Sequence, residues 1–282
     1  MNSPLSLMEK QDFERRLLRL ITVRDPRPPD YSDADYAVAV ARSIESTRRF
    51  FSRFDSVLDV RGKSVLDIGC GLGTACIECV RRGATHAVGV DIQPRDWARR
   101  YLHENYAELA DRIDLVATDG SLNELGGRRF SVVLSKDSFE HYEDPEGVVS
   151  CAERLLLPGG FIAIGFGPLW KSPTGGHIEY MTKLPWAHLM FSEQALMEER
   201  RRFRPAENAR SFQEVRGGLN KMTLRRFERI MNASGLRPRY FVTNVSDHPA
   251  VRAMKVVSHL ARLREYFTAD VYGIWEKPDT AS

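Results

Sequence analysis

Val65-Leu66-Asp67-Ile68-Gly69-Cys70-Gly71-Leu72-Gly73-Thr74 joins an apolar, branched run to a glycine-rich turn. The run reads as a buried strand, and a helix is expected to open near Thr74. Glycine adopts backbone angles barred to other residues and lets a ligand lie against the main chain. A glycine turn between strand and helix is the context such a ligand needs. The spacing is G-x-G-x-G. Thr74 stands where a dinucleotide fingerprint requires glycine, which counts against a nicotinamide or flavin enzyme. Asp91 closes the next expected strand, where an ionised acid can accept both hydrogen bonds of a ribose diol. Asp119-Gly120 follows the third strand, where a side-chain oxygen can meet an adenine amino group.

Outward from this turn, short β-rich runs alternate with helical patterns. Strands are expected over 64–68, 87–90, 113–117, 130–134 and 161–164, with helices over 74–82, 94–106 and 145–157. The last helix is expected to stop at Pro158-Gly159-Gly160. Such alternation implies a parallel sheet covered on both faces. The pattern lapses from about 168 to 218, a span too long for a plain loop, so a functional insertion or lid is expected there. Thr223 then caps a helix running to Ser234, with Gly235 as its stop. Strands over 239–245 and 268–275 flank a helix over 249–266. Before the first strand the chain reads as helical, with Phe13, Leu17, Leu18 and Ile21 on one face, a break over 25–30 and a second helix over 32–51. Four parts follow: an N-terminal helical extension (1–60), a ligand-binding core (61–167), a substrate-binding insertion (168–222) and the C-terminal part of the core (223–282).

The 282 residues are 43% hydrophobic and 28% charged, an ordinary globular composition. Lys plus Arg exceed Asp plus Glu by only 41 to 38, which argues against a dedicated DNA-binding protein. No apolar run approaches the roughly 18 residues that span a bilayer, so no membrane span is expected. The N-terminal segment lacks a signal-peptide pattern, and a cytoplasmic location is expected. Cys70, Cys76, Cys79 and Cys151 are expected as free thiols, the C-x-x-C pair packed within a helix.

Together these motifs resemble the class I S-adenosylmethionine (SAM) dependent methyltransferases. Asp67, Gly69, Gly71 and Gly73 match the family's first motif, and Asp91 and Asp119 match its acids after the second and third strands. Glu140-His141-Tyr142-Glu143-Asp144-Pro145 and Leu156-Leu157-Pro158-Gly159-Gly160 match its fourth-strand and fifth-strand signatures. The likeness is close over 60–167 and weaker over 222–277. It implies a Rossmann-like, seven-stranded, mostly parallel α/β sheet, with SAM as cofactor and S-adenosyl-L-homocysteine as product. By position, Gly69, Gly71 and Gly73 would pass the methionine end, and Asp67 would orient the loop and meet the ammonium. Asp91 would hold the ribose and Asp119 and Gly120 the adenine edge, with Ile92 also among the cofactor contacts, while Ser135 and Lys136 would face the methyl group.

The sulfonium already activates the methyl group, so holding the acceptor atom in line supplies much of the acceleration. A hydroxyl acceptor gains from a general base, for which His141, His177 and His188 are the candidates. Lys136, Asp137, Tyr180 and Trp186 are candidate substrate contacts. No acid follows the fifth strand, so a metal-independent enzyme is expected. Ser135-Lys136-Asp137-Ser138 lacks the tetrad of adenine-N6 methylases, and no cysteine fits the cytosine-C5 nucleophile. Arg200, Arg201, Arg202 and Arg204 follow Glu198-Glu199 and are expected as a solvated helix face. The expected activity is methyl transfer to an oxygen of a small or polar molecule, a natural-product or glycan hydroxyl. Two rivals are an RNA or protein methyltransferase using the Arg-rich run and a non-enzymatic SAM-binding regulator. Nucleic acid is not the expected partner, and a homodimer is compatible with the pattern. Tyr31 or Tyr36 would approach the cofactor if the N-terminal helices close over it.

Overall fold

Apolar side chains alternate between two faces along each central strand, because successive residues of a strand point to opposite sides. A computed structural model describes residues 4–23, 33–93 and 96–279, with side chains described from residue 12 in the first helix and from residue 38 in the second. Its strands are β1 (Ser64–Ile68), β2 (His86–Asp91), β3 (Ile113–Ala117), β4 (Phe130–Lys136), β5 (Leu156–Phe166), β6 (Arg237–Thr243) and β7 (Val271–Glu276). They form one seven-stranded sheet in the order β3-β2-β1-β4-β5-β7-β6. β1 to β5 are parallel, and β7 runs antiparallel to both β5 and β6. This is the Rossmann-like, mostly parallel α/β sheet. Its order reverses beside β1, so the turns after β1 and β4 open at one carboxyl edge.

The helices are α1 (Pro4–Ile21), α2 (Asp33–Ser52), α3 (Thr74–Arg81), α4 (Asp96–Asn105), α5 (Ala107–Ala110), α6 (Pro145–Leu155), α7 (Ala187–Met190), α8 (Glu193–Phe203), α9 (Leu224–Ala233) and α10 (Pro249–Val257). Val65, Ala87, Val132 and Leu134 pack under α2 and α3, against Phe50, Phe54 and Tyr272. Leu66, Val88, Val133 and Ile164 face the other way, against α6 and α9. Within that second core the Phe227 ring meets Phe139, Phe166, Phe241 and Trp275. Phe227→Ala is expected to lower unfolding free energy by about 3–5 kcal/mol, read by urea denaturation. A loss below about 1 kcal/mol would show that this ring stack contributes little.

The segment after β5 builds its own apolar centre from Ile178, Met181, Leu196, Phe203 and Phe212, closed by Leu18 of α1. Its two helices, α7 and α8, fall where the sequence pattern lapses.

Several local expectations differ from the structure. α6 ends at Leu155, and β5 already begins at Leu156, which pairs with Phe130. The closing elements are displaced, with β6 at 237–243, β7 at 271–276 and α10 ending at 257. Thr223 does cap α9, accepting from the Arg226 amide at 3.2 Å. Gly235, however, is not left-handed. Ser234 leaves the helix in extended conformation, and a Cβ on Gly235 would lie 2.3 Å from Glu153 Oε1. Among the described side chains of α1 only Leu18 is fully buried, while Phe13 and Leu17 are exposed, because α8 covers a narrower stripe than the periodicity suggests. The break expected over 25–30 and Tyr31 lie outside the described residues, as does the side chain of Tyr36. No described helix is long and apolar enough to cross a membrane. None of the four cysteines is joined in a disulfide, and Cys76 and Cys79 pack inside α3.

Candidate functional site

Gly69, Gly71 and Gly73 all adopt positive φ, at 75°, 52° and 73°, in the region other residues enter at a cost. The loop is tied on two sides. Val90 O accepts from Gly69 N at 2.8 Å and Cys70 N at 3.0 Å. Asp91 accepts from Gly71 N through Oδ2 (2.9 Å) and from Gln93 N through Oδ1 (3.0 Å). Gly71 has open space where a Cβ would project, so its backbone is accessible to a ligand. Gly69 is closed on the other side, where a Cβ would come within 2.6 Å of Ser138 Cβ.

Asp67, next to last in β1, is buried, with Oδ1 lacking any hydrogen-bond partner among the described residues. Burial pushes its carboxyl up to about 7. The Lys136 ammonium opposes that shift, and the Asp91 charge adds to it. After β3, Gly120 has φ 94°, and a Cβ there would touch Ile92 at 4.0 Å, so these two residues lie side by side. Asp119 is exposed, and its carboxylate is held below the usual range by the hydrogen bond it accepts from Ser121 N at 2.8 Å.

At the end of β4, Tyr142 Oη donates to Ile68 O at 2.8 Å, which leaves Ser135 Oγ to donate to Tyr142 Oη at 2.9 Å. Ser138 Oγ lies 3.0 Å from Gly69 O and 2.9 Å from Lys136 O. These hydroxyls brace the glycine loop from the β4 side. Lys136 is largely buried and pairs with Asp137 at 2.6 Å, while Asp137 itself sits at φ 51°. Glu140 is buried as well, its Oε2 lacking a partner among the described residues. Burial pushes its carboxyl up to about 8, against the opposing Lys136 charge. Lys136 therefore acts on both buried acids at this edge.

The insertion returns to the same edge. Asn220 Nδ2 donates to Phe139 O and Tyr142 O, each at 2.9 Å, and Asn220 N donates to Glu140 O. His141 Nδ1 lies 2.5 Å from Gly218 O. A carbonyl can only accept, so Nδ1 carries the proton and Nε2 of the neutral ring keeps its lone pair. That Nε2 is 4.0 Å from Glu140 Oε1. The His177 ring stands edge-on to His141, with centroids 5.8 Å apart. His177 bonds to the Pro168 carbonyl, and its buried Nε2 has no partner among the described residues. Burial and the His141 charge push its pKa down to about 4. His188 is different: Nε2 donates to Trp170 O at 2.5 Å, and the ring packs against the Trp170 ring inside the insertion.

The remaining candidates hold the insertion together. Tyr180 Oη accepts from Arg200 at 2.5 Å, with the Arg204 guanidinium over its ring. Trp186 donates through Nε1 to Lys171 O at 3.0 Å and packs on Phe267. The Arg-rich run is not a uniform solvated face. Arg200 is buried and paired with Glu207 at 2.5 Å, and Arg202 pairs with buried Glu199. These contacts needed partners far along the chain, which no local spacing announces.

The structure thus brings together Asp67, the three glycines, Asp91, Ser135, Lys136, Asp137, His141 and His177, and sets His188, Tyr180 and Trp186 within the insertion. Sequence reasoning missed Ser138 and Tyr142, although Tyr142 lies inside the quoted fourth-strand motif and Ser138 two residues before it. It also missed Thr74, whose hydroxyl meets Ser43 at 2.8 Å and Thr47 at 3.0 Å and so fastens α2 to the start of α3. The donor set fits SAM: an unpartnered buried carboxylate suits an ammonium, an open glycine loop suits the methionine end, and Asp91 suits a diol. Among the described residues, no group of three or more His, Cys, Asp and Glu is arranged to hold a metal ion.

Comparison with known proteins agrees with this geometry. Residues 38–166 match the family model described as a methyltransferase domain. The ubiquinone biosynthesis O-methyltransferase of Neisseria meningitidis serogroup C is 32% identical over 120 residues, 42% of this chain and 49% of that protein. The 27-O-demethylrifamycin SV methyltransferase of Amycolatopsis mediterranei is 31% identical over 132 residues, 46% of this chain and 48% of that protein. The chain spans about half the length of these curated relatives. The geranyl diphosphate C-methyltransferase of Streptomyces coelicolor, solved with Mg2+, geranyl diphosphate and S-adenosyl-L-homocysteine, superposes with a TM-score of 0.55. It is 16% identical, covers 89% of this chain and 86% of its own, and speaks to the fold alone. Residues 38–166 thus match a methyltransferase domain, and their strand order and the acids around the glycine loop resemble those of the class I, SAM-dependent methyltransferases.

Proposed function

We propose that this chain transfers a methyl group from SAM to an oxygen of a small or polar molecule, a natural-product or glycan hydroxyl. One observation carries the reading. At a single sheet edge a buried, unpartnered acceptor, Asp67 Oδ1, stands beside an open glycine loop, and a histidine with a fixed Nε2 lone pair stands on the adjoining turn. SAM supplies an activated methyl on sulfonium. Asp67 would meet the ammonium, Asp91 the ribose, and Ile92, Asp119 and Gly120 the adenine. Ser135 and Lys136 border the methyl end, with Asp137 beside them. His141 Nε2 would take the proton of the acceptor hydroxyl. His177 Nε2 is a poor base but a fitting acceptor for a second substrate hydroxyl. The two O-methyltransferase relatives support oxygen as the acceptor atom.

The test uses the full chain with methyl-deuterated SAM and two probe acceptors, a catechol and a methyl glycoside, with products located by mass spectrometry. A labelled methyl ether supports the reading. Transfer to carbon or nitrogen, or no saturable SAM binding, would overturn it.

Asp67 also makes cofactor binding depend on pH. The free carboxyl sits near 7, and a cationic ligand requires its ionised form. SAM affinity is expected to fall as pH drops below about 7, by up to about 10-fold per unit. Titration calorimetry across that range checks this, and Asp67→Asn should flatten the dependence. A dependence unchanged in the variant would place the proton elsewhere.

A further inference from the structure

The connection from β6 to β7, residues 244–270, returns at the carboxyl edge of the sheet. Thr243, which ends β6, and Phe166, which ends β5, both pair with Val271. The base of this arm is fixed. Asn244 Nδ2 donates to Phe267 O at 2.7 Å and its Oδ1 accepts from Ala269 N at 2.8 Å. Glu265 pairs with Lys171 of the insertion at 3.3 Å. The outer part is the reverse: α10 buries none of its residues. Val256 is 71% exposed and Leu260 60%, with Leu263 and Tyr266 exposed beyond them.

Charge accompanies the apolar side chains. Residues 247–267 contain Arg252, Lys255, Arg262 and Arg264 against Asp247 and Glu265. Arg264 is paired with Glu228, and Glu265 with Lys171. Arg252, Lys255 and Arg262 are exposed and make no ion pair among the described residues. Helix α10 and the turns that follow it offer aliphatic side chains and unpaired cations to solvent, which matches an interface between acyl chains and anionic headgroups. A second copy is a poorer occupant, since a two-fold contact would set the cations of one arm against those of the other. Nucleic acid is poorer too, because the exposed apolar side chains are aliphatic apart from Tyr266, whose ring already carries the Lys171 ammonium.

We propose that the 249–266 arm docks this protein on an anionic lipid surface, turning the carboxyl edge of the sheet toward the bilayer. The acceptor would then be presented from, or close to, that surface. Docking does not depend on the methyl-transfer reading, because vesicle binding is measured without turnover.

The test is flotation of the full chain with phosphatidylcholine vesicles, with and without phosphatidylglycerol. Binding is expected only to the phosphatidylglycerol vesicles and is expected to weaken with salt. Neutralising Arg252, Lys255 and Arg262 together to Gln should lower partitioning on the order of 100-fold, at roughly 5-fold per cation. Leu260→Asp with Leu263→Asp should abolish binding. Both variants alter exposed side chains, so circular dichroism and SAM affinity should match the parent. Failure of the parent to float, or equal flotation of the variants, would overturn the proposal. So would light scattering that shows a dimer lost in the Leu260→Asp, Leu263→Asp variant, which would assign the face to a second copy.

Discussion

Alanine at position 141 is expected to lower the rate of methyl transfer by about 10²- to 10⁴-fold, the usual contribution of a positioned general base. SAM affinity should stay near that of the parent, because His141 bonds Gly218 O and packs on His177 rather than on the glycine loop. Its Nδ1 proton is committed to Gly218 O, so only Nε2 can accept from a substrate. His141→Gln sharpens the test. An amide can still donate to Gly218 O and hold the turn, but it cannot take up a proton. If Gln restored near-parent turnover, the histidine would serve as a brace rather than a base. His177→Ala should raise KM more than it lowers kcat, since a pKa near 4 leaves that ring unable to hold a proton at neutral pH. His188→Ala should instead lower thermal stability, because its ring bonds Trp170 O and fills the insertion.

Asp91→Ala is expected to weaken SAM binding by about 100-fold or more, from loss of hydrogen bonds to a charged acceptor worth about 1.5–3 kcal/mol each. Two effects combine. The ribose loses its acceptor, and Gly71 N loses the carboxylate that holds the loop open at 2.9 Å. Asp91→Asn keeps one oxygen acceptor and should fall between. Asp119→Ala should cost less, because that carboxylate is exposed and already accepts from Ser121 N. Calorimetric titration of SAM into the three variants reads this order directly. An Asp119 effect as large as that of Asp91 would shift the main ribose contact away from β2.

The two effects separate binding from chemistry along one sheet edge. Asp91 and the glycines belong to the β1–β2 side, and His141 belongs to the β4 turn that the end of the insertion clasps through Gly218 and Asn220. Lys136 lies between them, acting on Asp67 and Glu140 alike.

The glycine loop and the positions of the acids beside it were legible because their determinants are local. Strand alternation, three glycines at positive φ and an acid at each strand end are all properties of short windows. A backbone angle or a period of two needs no distant partner. The placement of Asp67, Gly69, Gly71, Gly73, Asp91, Asp119 and Gly120 therefore followed from the order of residues. Strand ends were less legible, as at β5, because ladder pairing rather than Pro158-Gly159-Gly160 decides where α6 stops.

The substrate half was decided by tertiary contacts. His141, His177 and His188 look alike as candidates in the chain. They differ only through the carbonyls of Gly218, Pro168 and Trp170 and through how deeply each ring is buried. Arg200 reads as one more surface cation until Tyr180 and Glu207 enclose it. What a side chain does at neutral pH depends on the dielectric and the hydrogen-bond partners around it, and folding assembles those from segments far apart. The residue order alone determined the sheet, the glycine loop and the acids around it. The tertiary structure alone decided which carbonyl each histidine bonds and how deeply its ring is buried.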